Sequence, residues 1–158
     1  MDPSAFTSHI ARLRSLGWTC QWHPQPVHLP LSLRSRYPWL PPDYIDFVTG
    51  LDECVSSDET RWILAPADFD LHEHHAWQHD AWETLSVESA AGDEQLVAQI
   101  REFWDAHIPI SLGVGDGYSF YAIRVGDRSG VVVTGREPEF EDIAEVALSF
   151  TQFLAHLT

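Results

Sequence analysis

Apolar residues recur along this chain in two rhythms, one helical and one alternating. Near the start, Phe6, Ile10 and Leu13 mark one face of a helix predicted over Pro3 to Leu16. Asp2 can cap it, Pro3 suits the first helical position, and Gly17 ends it. Tyr44, Phe47, Val48 and Leu51 then fall at i, i+3, i+4 and i+7 behind Pro41-Pro42, a pair that can open a helix but cannot continue one. Asp43 lies in its first turn, where negative charge suits the helix dipole, and Gly50 is a stop. A further helix is predicted from Asp93 to His107, with Leu96, Ile100, Phe103 and His107 on one face. Ile143, Val146, Ala147, Phe150, Leu154 and Leu157, led by Glu139, Glu141 and Asp142, predict one closing helix.

Between these lie strand patterns. Trp18 to Leu33 mixes β-type residues with Pro24, Pro26 and Pro30, which suits edge strands, because proline cannot pair inside a sheet. Residues 52–60 read as an acidic loop, Arg61 to Pro66 as a short strand, and 67–85 as a short helix with an irregular stretch. Ile108–Leu112, Tyr118–Val125 and Val131–Thr134, joined by glycine turns, predict an antiparallel meander. In Tyr118–Val125 both alternating sets are apolar or aromatic, as expected of a central strand covered on both faces. The expected fold class is α+β: a single domain with a mostly antiparallel sheet flanked by helices.

The loop Gly113-Val114-Gly115-Asp116-Gly117 invites comparison with phosphate cradles. A dinucleotide fingerprint places its third glycine one residue later and leads into a helix, whereas here a strand follows. A Walker loop needs a lysine, and the chain has none. The loop therefore reads as a turn needing positive φ, with Asp116 at its tip and Tyr118, Phe120 and Tyr121 just beyond. No cofactor is expected.

Charge narrows the partners. The net charge is −15 over 158 residues, and it is uneven. Residues 1–36 hold one acid, Asp2, and four arginines, whereas 37–158 hold 23 acids and five arginines. Such a body repels nucleic acid and anionic membrane, and attracts a basic partner. No apolar run is long enough to span a bilayer, and the N-terminus does not resemble a secretory signal. Cys20 and Cys54, far apart and without a CxxC neighbour, read as two free thiols in a reducing, cytoplasmic setting. Oligomeric state is left open.

Chemistry-bearing clusters are few. If the segment around 72–80 is helical, His72, His75 and His79 share a face at a spacing that can supply zinc ligands, although HExxH is absent because Ala76 stands at its second histidine. Neither cysteine nor any serine sits in a recognisable nucleophile motif, and no catalytic residues are expected. Trp62, Trp77, Trp82 and Trp104 crowd the middle of the chain, and aromatics exposed among carboxylates make good partner anchors.

Three segments, in order, resemble the SUKH superfamily. "LPPDYIDFV", Leu40 to Val48, is similar to its LPxDYxxF-type helix start. "IPISLGVGDGYSFYAIRV", Ile108 to Val125, with "GVVV" resembles its sheet segment. "IAEVALSFTQFLAHL", Ile143 to Leu157, resembles its closing helix, with Ser149, Phe150, Phe153 and Leu154 on the Ser-Phe-x-x-Phe-Leu pattern. Thr49-Gly50 stands where the family often has Asn-Gly, and residues 1–36 and 70–92 lie outside the match. The resemblance implies an α+β fold and a non-catalytic role, most often as an immunity protein that binds and neutralises a cognate toxin, commonly a nuclease. The expected contact surface combines Asp43, Asp46, Asp116, Tyr118 and Tyr121. The rival expectations are a scaffold or regulator on the same fold, and a metal-dependent enzyme built on the histidines.

Overall fold

A computed structural model describes residues 6–70 and 77–157. Seven strands form one sheet: β1 (Thr19–Trp22), β2 (Leu51–Val55), β3 (Arg61–Ile63), β4 (His107–Gly113), β5 (Ser119–Arg124), β6 (Val132–Arg136) and β7 (Ala144–Ala147). Their spatial order is their chain order, and every neighbouring pair is antiparallel. Among the described residues six α-helices accompany them: α1 (Thr7–Ser15), α2 (Leu31–Arg36), α3 (Pro42–Val48), α4 (Ala81–Ser89), α5 (Glu94–Ala106) and α6 (Phe150–His156). The chain is a single α+β domain.

Alternation on β5 organises the packing. The Phe120 ring meets Trp104 of α5 at 4.9 Å, and the next residue, Tyr121, meets Phe153 of α6 at 4.8 Å on the opposite face. Both faces of the central strand are therefore covered, as its doubly apolar pattern predicts. On the α6 face, Tyr44 and Phe47 of α3 meet Phe150 edge-on at 5.2 and 5.0 Å. Those residues are fully buried, and so is Trp82 of α4.

Several elements match the sequence reading. Gly17, at φ +90°, closes α1. The Asp93 carboxylate caps α5 by accepting from the Leu96 amide at 3.0 Å. Asp2 and Pro3 lie outside the described residues.

Other elements differ. The closing helix begins only at Phe150, and Ala144–Ala147 is strand β7. Ser149 caps α6 by accepting from the Gln152 amide, while the Gln152 side chain accepts from the Leu148 amide at 2.7 Å. The stretch Ile143–Ala147 fits a helical face by spacing, but its backbone pairs with β6 instead. Residues 52–60 are not simply a loop, since Asp52 to Val55 belong to β2. Exposed Asp52 and Glu53 hide the strand from a hydrophobicity reading. Helix α2 begins inside the stretch read as edge strands, at Leu31, and that stretch holds one strand only, β1.

The expectation of two free thiols is overturned. Cys20 and Cys54 face each other across β1 and β2 and are joined as a disulfide, with Cα atoms 4.1 Å apart. Their separation of 34 residues gave no hint of this, because sheet register brings them together. The step from free thiols to a reducing compartment loses its basis with them. No helix among the described residues is long and apolar enough to cross a membrane.

Candidate functional site

The glycine turn divides two surfaces, because Arg61 and Trp62 on β3 point to opposite faces of the sheet. Only one glycine of the turn, Gly117 at φ +89°, needs the left-handed region. Gly113 is a strand residue with a different job. A Cβ there would stand 2.8 Å from Arg61 Nη2, so the absent side chain makes room for the guanidinium. The expected turn with positive φ is present, and Gly117 supplies it.

On the Trp62 side lies an aromatic cluster. Trp77 meets Trp62 at 6.3 Å, Trp82 at 5.4 Å and Tyr118 at 5.9 Å, and Tyr118 stacks on Trp82 at 4.7 Å. Trp82 is buried and anchored by its indole N–H, which donates to the Ser119 carbonyl at 2.9 Å. Trp77 and Tyr118 are 41% and 42% exposed, which is high for rings of this size. Trp77 shares a shallow hollow with Asp80 and Glu88. Asp116 is exposed at the turn, two residues before Tyr118.

On the Arg61 side lies a cleft of about 670 Å³. Arg61, Ser119 and Arg136 line it and belong to one cross-strand row: Arg61 pairs with Gly113, Gly113 with Ser119, and Ser119 with Arg136. Two arginines thus flank two small residues on one face. Arg61 Nη2 donates to the Ser119 hydroxyl at 2.8 Å, and its guanidinium lies 5.0 Å from the Tyr121 ring centroid. Arg61 Nη1 is buried without an acceptor among the described residues. Arg136 is exposed and donates to the Asp116 carbonyl at 2.8 Å. Neither arginine pairs with a carboxylate among the described residues. Asp116, Glu139 and Asp142 are the acids of its lining.

The five expected contact residues therefore separate. Tyr118 belongs to the aromatic cluster, Tyr121 to the cleft wall, and Asp116 lines the cleft from the turn between them. Asp43 does something else. Its carboxylate accepts from the Thr151 amide and hydroxyl, both at 3.0 Å, and so ties α3 to the first turn of α6. Asp46 is exposed on α3 and lines neither the cleft nor the hollow.

Of the histidines considered as ligands, His72 and His75 lie outside the described residues. His79 is buried, with its ring 5.0 Å from Phe69 and its Nδ1 donating to the Asp68 carbonyl at 3.1 Å. Burial pushes its imidazole below the ordinary value, against the pull of Asp80. A core imidazole held in this way packs as an apolar ring with one satisfied donor.

One titrating group escaped the sequence reading. Glu137, just after β6, accepts from the Ser86 hydroxyl through Oε2, while Oε1 is buried without a partner among the described residues. Burial pushes its carboxyl up to about 7, and Glu141 and Glu139 add to the rise. Arg61 and Arg136 also escaped it, because nothing in their spacing reveals that sheet register sets them in one row.

No protein-family model, no curated protein and no solved structure matches the chain.

Proposed function

We propose that this chain is a non-catalytic protein-binding module of the SUKH type, an immunity protein that captures and neutralises a basic toxin, such as a nuclease. The observation that carries the reading is the Trp77–Tyr118 surface. Two large rings are held half out of the protein by a buried tryptophan, and Asp80 and Glu88 line the same hollow as Trp77. Pre-ordered aromatics give contact area at little entropic cost, and they dominate many protein interfaces. The surrounding charge of −15 speeds encounter with a cationic partner and disfavours acidic ones.

The test is co-expression and co-purification with the product of the neighbouring gene. The expected result is a stable complex and relief of that protein's toxicity. Trp77→Ala with Tyr118→Ala should weaken binding by about a hundredfold, since each ring is of the hot-spot kind. A neighbour that is toxic but neither bound nor blocked overturns the immunity reading. An unaltered affinity in the double variant moves the interface elsewhere.

A further inference from the structure

We propose that the cleft beside the glycine turn is a second binding site, one that takes the C-terminal carboxylate of a peptide between Arg61 and Arg136. The first reason is charge. The chain carries 24 acids against nine basic residues, so arginines can readily find carboxylates. Arg36 and Arg124 have done so; the two arginines of the cleft, like Arg12, Arg14, Arg34, Arg101 and Arg128, have no carboxylate partner among the described residues, and what sets the cleft apart is the way Arg61 is held. The Arg61 guanidinium is pinned over Tyr121 and hydrogen-bonded to Ser119, while its Nη1 meets neither solvent nor an acceptor among the described residues. A cation held partly out of water without a counter-charge is unfavourable, and an incoming anion relieves that cost.

The second reason is shape. Gly113 leaves room for the Arg61 guanidinium to lie against Ser119 in the cleft, and about 670 Å³ is the volume of a small-ligand site. The Ser119 hydroxyl accepts from Arg61, which leaves its own proton to donate to a bound oxygen. Arginine is suited to carboxylates because its planar fork can donate two parallel bonds.

The third reason selects the anion. Asp116, Glu139 and Asp142 also line the cleft and would repel a dianionic phosphate or an acidic stretch of chain. A peptide terminus brings a single negative charge, and basic residues just before it would meet those acids. The glycine loop is therefore next to an anion site after all, but arginine side chains make it rather than loop amides.

The test is a titration of the isotope-labelled protein, followed by amide chemical shifts. The probes are acetyl-Gly-Arg-Ala as the free acid, the same peptide as its amide, acetyl-Gly-Asp-Ala amide, and inorganic phosphate. The free acid should saturate shifts at Gly113, Ser119 and Gly135. The two amidated peptides and phosphate should bind at least about tenfold more weakly. Arg136→Gln, at an exposed position that folding tolerates, should lower affinity for the free acid by about tenfold. Gly113→Ala should do likewise without changing charge, by displacing the Arg61 guanidinium. Equal binding of acid and amide, no saturable shift with the free acid, or an unaltered affinity in Arg136→Gln overturns the site. Tighter binding of phosphate or of the aspartyl peptide overturns the choice of anion. The aromatic cluster lies on the other face of the sheet, so Trp77→Ala with Tyr118→Ala should leave this titration unchanged, and the two readings fail separately.

Discussion

Replacing Glu137 with glutamine should make the protein more stable above neutral pH and leave it little changed in acid. The carboxyl lies between β6 and α4, held by the Ser86 hydroxyl at Oε2 and by none of the described residues at Oε1. Its pKa stands at about 7 against an ordinary 4.5. Below the ordinary value it is protonated in both the folded and the unfolded chain. Between the two values the unfolded chain releases the proton and the folded chain keeps it, so stability falls as pH rises through about 7 and then levels off. The full difference corresponds to about 3 kcal/mol. Solvent reaches part of the group, and screening brings this to about 2 kcal/mol. For a domain of this size that is about 4–8 °C in Tm. Glutamine keeps the shape and the Ser86 contact but does not titrate. Thermal melts of both proteins at about pH 5 and about pH 8.5 should therefore show the gap between them widening by that amount in favour of Glu137→Gln. A gap that stays constant with pH would refute the reasoning, because it would mean that the carboxylate ionises without penalty.

Two further outcomes are expected. Asp43→Ala should destabilise the domain by about 1–2 kcal/mol in urea unfolding, because two donors at the first turn of α6 lose their acceptor. The same variant should leave partner affinity unchanged, in contrast to Tyr118→Ala. Reduction of the Cys20–Cys54 disulfide should lower the urea midpoint by the equivalent of about 2–4 kcal/mol, the range for freeing a closed loop of this length. A midpoint insensitive to reductant would argue that the bond does not form in solution.

Where local physics and packing agree, the sequence was enough. The α3 start at Pro42, the capped α5 helix behind Asp93, the meander of β4, β5 and β6, and the two-sided burial of β5 all follow from spacing and from proline or cap chemistry. The α+β class follows from those elements. Spacing misled at Ile143–Ala147, where residues compatible with a helical face were claimed by the open edge of β6. The cap signal at Ser149 and Gln152 was present in the sequence and marks the true start of α6.

The sites were legible only in part. Local sequence could place Tyr118 and Asp116 together at a turn, because they are two residues apart. It could not show that Trp77, more than 40 residues before Tyr118, stands against it, nor that Asp43 is occupied by Thr151. The disulfide and the row of Arg61, Gly113, Ser119 and Arg136 have the same origin. Strand register joins residues far apart in the chain, and one residue of slip would send every side chain to the other face. Sequence set which residues prefer helix, strand or turn, since those preferences act over a few residues. Tertiary structure alone decided which cysteines meet, which arginines lack a counter-charge and which aromatics stay in water, because each depends on contacts between distant parts of the chain.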